Sequence, residues 1–324
     1  MRKRKLNVLV LAGGPSSEHD VSLRTARMIL KNLDPQKYNA SLAIIEKNRK
    51  WRFHPDAKPL HIGDAIKRLN PSNFDIVFIA MHGPFGEDGR IQALLEWTGL
   101  PYVGSGVVSS AMAMDKEISN ILYETNGLRV PRYVVIDGNS KKKDPDIDFP
   151  IVVKPVNGGS SVGVSIVRSK KELTKAVSHA RKEDDRVMLQ EYIKGGEFSC
   201  GVLEGRNGEP FALPPTEIIP QTSSFFDYRA KYKVGGSLEI TPARLPGAKI
   251  KKLQDLALKA HKILGCRGMS RSDFMFKGSK FYILETNTIP GMTETSLLPQ
   301  AAKAAGIEFP AFLDLMIYVG LRGS

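Results

Sequence analysis

The amino-acid sequence predicts a mixed α/β and α+β protein whose first third is a small doubly wound domain. Two observations carry that reading. Over about residues 1–104, short apolar, β-branched runs alternate with segments of helical periodicity, the pattern of β-α-β units built on a parallel sheet. Beyond residue 135, strand signals follow one another closely across short turns with fewer helices between them, as in compact α+β units. A length of 324 residues, 42% hydrophobic and 25% charged, is enough for two or three domains with a large buried core.

Asn7–Ala12 is a continuous apolar run ending at Gly13-Gly14, which reads as a buried parallel strand and its turn. Ser22–Leu33 carries helical periodicity, with Asp20 or Ser22 as its cap. Lys37–Ile45 and Phe74–Ala80 read as further strands; the Gly-rich loop His82–Gly89 and a helix over Ile91–Thr98 follow the second. A helix over Ser109–Glu124 connects to a middle unit with strands at Ile151–Lys154, Val164–Val167 and Val187–Tyr192 and a helix at Lys170–Arg181. The last third has strands near Ser199–Leu203, Ala212–Ile219, Gly268–Phe276 and Lys280–Glu285, and helices at Lys249–Leu264, Leu297–Ala305 and Phe309–Gly320. Gln221–Glu239 is polar, aromatic and longer than a connector needs to be, which suits a functional lid.

Composition narrows the function classes. No stretch approaches the ~18 consecutive apolar residues that cross a bilayer. The opening Met1–Lys5 basic run leads into a short apolar run and Gly-Gly rather than a small-residue cleavage site, so a first strand fits better than a signal peptide. Cys200 and Cys266 are the two cysteines, far apart, with no disulfide framework or metal-ligand spacing, and the expected compartment is the cytoplasm. The net charge of +13 is spread along the chain, and its densest clusters, Arg2–Lys5 and Lys141–Lys143, lack interleaved aromatics; no nucleic-acid or membrane partner is expected.

Three constellations carry chemistry. Lys154-Pro-Val-Asn-Gly-Gly-Ser-Ser-Val-Gly163 puts a lysine at a strand end before small residues whose backbone N–H groups can approach an anion; a phosphate cover and an ordinary hairpin both fit it. Asp273, Glu285 and Asn287 recur on two strands joined by the Lys277–Lys280 turn, with Arg271 beside them, and three oxygen ligands of this kind suit magnesium. Glu18, His19 and His82 follow strands of the first domain, at the carboxyl ends where open α/β sheets bind ligands. A glycine lid with a lysine, a metal-type cluster, an arginine and a long loop holding Lys231 suit phosphoryl transfer. Gly13-Gly14-Pro15 is not the dinucleotide turn, which argues against hydride transfer.

Seven segments in order resemble the D-alanine–D-alanine ligases of the ATP-grasp superfamily. They are 13–23 (GGPSSEHDVSL), 82–89 (HGPFGEDG), 102–106 (YVGSG), 114–116 (MDK), 159–163 (GSSVG), 226–232 (FDYRAKY) and 285–293 (ETNTIPGMT). The resemblance implies a three-domain ATP-grasp fold: an N-terminal doubly wound, Rossmann-like domain (1–104), a central domain with the glycine-rich lid (105–195) and a C-terminal domain with the metal and oxyanion site (196–324). It implies ATP- and magnesium-dependent joining of two D-alanine molecules through an acyl phosphate, for peptidoglycan synthesis, and a homodimer by analogy. Manganese is expected to substitute for the two magnesium ions.

Residue by residue, the resemblance puts Lys116, Lys154, Ser160, Ser161 and Gly163 at the ATP phosphates. Glu191, Tyr192 and Ile193 would line the adenine pocket, Glu197 would take the ribose, and Lys231 the γ-phosphate. Asp273, Glu285 and Asn287 would hold metal, while Arg271 and the N–H of Gly291 would stabilise the oxyanion. Glu18 would hold the first substrate's ammonium group, His82 would border the substrates, and Ser296 with Leu297 would receive the second substrate's carboxylate. Glu18, Ser160 and Tyr232 resemble the family's hydrogen-bonded link between lid and N-terminal domain. Departures are Gln190 where many relatives carry glutamate, Arg229 for glutamate, Phe226 for tyrosine and Thr286 for alanine. The alternatives are a D-lactate or D-serine acceptor, against the first of which Tyr232 argues, and an inactive nucleotide-binding protein, against which Asp273, Glu285, Asn287 and Arg271 argue.

Overall fold

A computed structural model describes residues 4–56, 58–138, 147–221 and 236–323, with strands in three sheets. The first region runs β1 (Leu6–Gly13), α1 (His19–Asn32), β2 (Tyr38–Ile45), β3 (Trp51–Phe53), α2 (Ile62–Arg68), β4 (Ile76–Ile79), α3 (Arg90–Thr98) and β5 (Tyr102–Val103). The sheet order is β3-β2-β1-β4-β5, parallel except for β3. Alternation decides its packing: Val8, Val10 and Ala12 enter one core, while Leu9 and Leu11 enter the core on the other face. The chain leaves β1 toward β2 on one side and returns to β4 on the other, which opens a crevice at the carboxyl ends of β1 and β4.

The middle region holds α4 (Val107–Met114), α5 (Lys116–Thr125), β6 (Tyr133–Ile136), β7 (Ile151–Pro155), β8 (Ser165–Val167), α6 (Lys170–Ala180) and β9 (Val187–Glu191). Its sheet is antiparallel in the order β6-β9-β7-β8. Ile151, Val153, Val167 and Leu189 bury one face against Ala176, Val177 and Ala180 of α6. Val152, Lys154 and Gln190 alternate with them and line a cleft on the other face.

The last region holds β10 (Gly196–Glu204), β11 (Pro210–Ala212), β12 (Thr216–Pro220), β13 (Ser237–Ile240), α7 (Gly247–Ile263), β14 (Met269–Lys277), β15 (Lys280–Asn287), α8 (Leu297–Ala304) and α9 (Phe309–Arg322). The order is β13-β12-β10-β14-β15, antiparallel throughout, with β11 paired to β10. Phe198, Cys200, Val202, Phe274 and Ile283 bury one face under Leu253, Ala257 and Ala260 of α7. The final helix returns to the first sheet, where Phe312, Leu313, Met316 and Ile317 share a core with Val8, Val10, Ile29 and Phe78. A Cβ on Gly320 would lie 2.8 Å from Ile76 Cδ1 and 3.0 Å from the Tyr102 carbonyl oxygen, so only glycine allows α9 to seat this closely. No single described helix is long and apolar enough to cross a membrane; α8 and α9 together have the composition but are bent by 103°, and both contribute to the core.

Several elements differ from the sequence reading. The helix expected over Ser109–Glu124 is two helices, because Asp115 leaves helical geometry (φ −81°, ψ 105°) and accepts from the N–H groups of Glu117 and Ile118, capping α5. Helix α1 starts at His19 after Glu18 rather than at a cap on Asp20 or Ser22; Ser22 instead accepts from Gly13 N and donates to Ala80 O, both at 2.7 Å. The strand expected over Ala212–Ile219 is two, β11 and β12, interrupted by Pro214 and Pro215. Ser237–Glu239, read as the end of a loop, belongs to β13; residues 222–235 of that loop lie outside the described residues.

Asp115 also receives Arg186, which pairs with Glu117 at 3.3 Å, so one carboxylate ties α5 to the strand beyond α6. Asp115→Ala is expected to lower unfolding free energy by about 1–2 kcal/mol through loss of the cap. Urea denaturation checks this, and a change within a few tenths of a kcal/mol would refute the cap's role.

Candidate functional site

One face of the last sheet gathers the polar side chains of the candidate site. Asp273 stands directly opposite Glu285, and Arg271 opposite Asn287. Ser199 faces Asp273 from β10, Glu197 faces Met275 and Ile218, and Glu239 faces Ile218 from β13. Directly paired residues project to the same side of a sheet, and side chains two apart along a strand share that side. The face opposite the α7 core therefore gathers these polar groups in one plane.

Asp273 is buried and well supplied: the Arg271 guanidinium forks onto it at 3.0 and 2.9 Å, and the Ser199 hydroxyl donates to Oδ1 at 2.6 Å. The fork fixes the guanidinium's plane as well as its charge. Asn287 Oδ1 accepts from Ile289 N at 2.8 Å, which sets the amide's orientation. Lys116 donates to Gly158 O at 2.7 Å and lies 3.7 Å from Glu285. Two carboxylates and an amide oxygen on one face fit a hard divalent cation whose remaining ligands are water or phosphate. Among the described residues no group of three His, Cys, Asp or Glu side chains is placed to hold a metal ion, so the amide of Asn287 would complete such a set.

Two cavities meet over this face. The larger, about 350 Å³, lies between the middle sheet and the last sheet. It is lined by Lys116, Lys154, Ser161, Glu191, Tyr192, Ile193, Glu197, Asp273 and Glu285, with Val152, Ile166, Met275 and Leu284 as apolar walls. The smaller, about 110 Å³, lies toward the first sheet's crevice and is lined by Glu18, His82, Ser160, Arg271, Asn287, Gly291, Ser296 and Leu297. Lys116, Glu285, Gly158 and Gly159 line both. The described residues expected at the site border one of the two spaces, except Gly163 and His19, whose ring Nδ1 lies 2.7 Å from the Gly14 carbonyl oxygen.

The glycine lid divides the spaces. Ser160 and Ser161 both hold left-handed backbone, φ 50° and 60°, which non-glycine residues adopt at a cost of order 1–3 kcal/mol each. The result turns Ser160 toward the small cavity and Ser161 toward the large one. Ser160 donates to Glu18, and a Cβ on Gly159 would lie 2.7 Å from Glu18 Oε2, so the lid backbone rests directly on that carboxylate. Gly163 shapes the turn: its φ is 75°, and a Cβ there would meet Glu183 and Pro155.

His82 is buried with both ring nitrogens engaged. Its Nδ1 lies 3.1 Å from the Ile289 carbonyl, which can only accept, so Nδ1 carries a proton, while Nε2 lies 2.8 Å from Thr25 Oγ1. Glu87 approaches Nδ1 at 3.3 Å; burial pushes its carboxyl up to about 7 against the pull of His82. His82 thus borders the cavity as a fixed wall. Lys231, Tyr232, Phe226 and Arg229 lie outside the described residues.

Two departures have a visible setting. Thr286 is buried and satisfied, linking Tyr123 and Ser272 by hydrogen bonds of 2.7 Å each. Gln190 lies in the wall of the large cavity, 2% exposed, with its amide nitrogen unpartnered among the described residues. The sequence reading missed Glu239, which lines the small cavity, accepts from Gln300 Nε2 at 3.0 Å and receives the Ser237 hydroxyl at 3.2 Å. Burial raises its carboxyl above the usual range, while Gln300, Ser237 and Arg271 pull the other way. The alternation Ser237-Leu-Glu-Ile240 was the available signal for a strand there.

The chain matches the family models described as D-ala D-ala ligase N-terminus over residues 7–105 and D-ala D-ala ligase C-terminus over residues 122–318. It is 44% identical to a D-alanine–D-alanine ligase of Syntrophobacter fumaroxidans, over 99% of this chain and 100% of the relative. Among solved structures it is similar to the VanG D-Ala:D-Ser ligase of Enterococcus faecalis, with a TM-score of 0.86, 30% identity, and coverage of 98% of this chain and 100% of that one. It is also similar to the Bacillus anthracis D-alanine–D-alanine ligase complexed with ATP, with a TM-score of 0.81, 32% identity and 98% of each chain covered.

The contact between Ser160 and Glu18 yields a test independent of any reaction. Ser160→Ala removes a hydrogen bond to a buried carboxylate, about 1–3 kcal/mol, so amide exchange over residues 157–163 should speed up by roughly tenfold to a hundredfold. Hydrogen exchange measured segment by segment checks this; unchanged protection would mean that the contact does not hold the lid.

Proposed function

The chain belongs to the D-alanine–D-alanine ligase family, and on that premise we propose how its own residues join two D-alanine molecules at the expense of ATP. The observation that carries the reading is the junction of the two cavities at Lys116, Glu285 and the lid glycines. A nucleotide in the larger space can present its terminal phosphate to a small acid in the other, which is the geometry that carboxylate activation needs. The unpartnered amide of Gln190 and the apolar walls beside it leave the far end of the large cavity suited to a flat, polar-edged base.

In this reading Lys154, Lys116, Ser161 and the lid backbone hold the phosphates, Glu191 to Ile193 border the base, and Glu197 takes the ribose. Glu18, at the amino end of α1, receives the ammonium group of the first D-alanine. Its carboxylate lies toward Arg271, takes the γ-phosphoryl group as an acyl phosphate, and releases ADP. The second D-alanine, once its ammonium group has released a proton to solvent, attacks that carbonyl carbon with its neutral amine; the C–O bond to phosphate breaks, inorganic phosphate departs, and the nitrogen gives up its surplus proton to solvent. Arg271, aimed by Asp273, and the N–H of Gly291 face the oxyanion that forms in between. Asp273, Glu285 and Asn287 would hold magnesium, two ions with manganese as a substitute, supplying neutralisation of the phosphate charge. Lys231 and Tyr232 complete the set from the long loop. The wider proposal is a cytoplasmic homodimer serving peptidoglycan synthesis, with no nucleic-acid or membrane partner.

Product analysis with ATP, magnesium and D-alanine tests the reading, with D-serine and D-lactate as competing acceptors; formation of no D-alanyl-D-alanine would overturn it. Glu285→Gln should remove nearly all turnover while leaving the unfolding midpoint in place, and wild-type turnover in that variant would remove the metal assignment. Arg271→Met should slow dipeptide formation by about a hundredfold or more, with a smaller effect on ATP affinity. A variant that binds ATP poorly yet turns over normally at saturation would contradict the oxyanion role.

A further inference from the structure

Glu239 lines the small cavity, and the ligase mechanism leaves its carboxylate without a role. Glu239 is paired with Ile218 across β13 and β12, and Ile218 packs on Leu297, the first residue of α8. The carboxylate therefore shares the side of the sheet that faces the start of that helix. It is held from both directions: Gln300, one helical turn beyond Ser296, donates to Oε2, and Ser237 donates to Oε1. Of the other carboxylates lining this cavity, Glu18 and Glu87 belong to the crevice of the first sheet, and Glu285 is paired with Lys116.

An amino-acid acceptor is a zwitterion, so its carboxylate cannot be bound without placing its ammonium group nearby. The carboxylate end already has Ser296 and Leu297 at the amino end of α8, the favourable pole for an anion. The Glu239 carboxylate, held by the Gln300 side chain from the same helix, is the complementary pole for the cation. We propose that Glu239 is the acceptor-selecting residue of this chain, facing the ammonium group of the second amino acid and so favouring an amine over a hydroxy acid. A hydroxy acid offers the same carboxylate but no cation, leaving Glu239 beside a neutral hydroxyl. The inference rests on the ligase reading and adds to it a specificity determinant on β13.

The test is Glu239→Gln, which keeps the shape and the acceptor for Gln300 while removing the charge, assayed with ATP and a mixture of D-alanine and D-lactate. The KM for the acceptor D-alanine should rise about tenfold or more, and the ratio of ester to dipeptide product should rise by a similar factor, since a charge-assisted contact is lost. The KM values for ATP and for the first D-alanine should stay within about twofold of wild type. Glu239→Asp, which restores the charge on a shorter arm, should recover part of the selectivity. An unchanged product ratio in Glu239→Gln, or a parallel rise in all three KM values with a lowered Tm, would overturn the inference and reduce Glu239 to a brace for α8. A wild-type protein that makes dipeptide separates that failure from failure of the ligase reading.

Discussion

The register between β14 and β15 decides which side chains share a face with which. With Asp273 opposite Glu285 and Arg271 opposite Asn287, the acidic pair, the amide and the guanidinium all point away from α7. A slip of one residue would turn the side chains of a whole strand over, sending Glu285 into the apolar core and Ile283 into the cavities. The irregularity between Asp273 and Phe274 lets the pairing shift while both faces keep their character. Phe198, Phe274, Phe276 and Phe281 lock that register, meeting edge-on or tilted with ring centroids 4.6–6.5 Å apart. The polar site is thus specified by the aromatic layer beneath it.

Electrostatics then couples the regions. Lys116 at the start of α5, Lys154 at the end of β7 and Arg271 on β14 bring positive charge to the junction of the cavities from separate elements. Glu285 and Asp273 partner two of these cations, while Glu18 meets the lid from across the crevice. Charges brought together from separate elements at partial burial repel or bind according to small displacements, because the effective dielectric there is low.

Much of this was legible in the sequence. The buried strand Asn7–Ala12 showed as a continuous apolar run because both of its faces are covered, and Arg271, Asp273, Glu285 and Asn287 showed because strands with one polar and one apolar face write a period of two; the loop Lys154–Gly163 fitted a phosphate cover and an ordinary hairpin equally. The break at Asp115 was not legible, since a capping aspartate inside an apolar helical pattern looks like one more polar position. Glu239 was missed because β13 is four residues long and follows a polar stretch, so its alternation is short. The engagement of His82 with Thr25, Glu87 and Ile289 joins residues up to 207 positions apart, a convergence that no local pattern encodes.

The seat of the final helix on the opening sheet has a consequence for how the chain is made. During synthesis on a ribosome, β1, β2, β4 and α1 emerge first, yet the apolar face of Val8, Val10 and Phe78, partly covered by Ala26 and Ile29 of α1, is completed only when Phe312, Met316 and Ile317 arrive. The nascent N-terminal region must therefore wait, with part of its core open, through the production of the two further sheets and their helices. Contacts of such long sequence separation form late and leave an intermediate with sticky apolar surface. At about 5–20 residues added per second, that exposure lasts on the order of ten seconds to a minute, the interval in which a chaperone would find this protein.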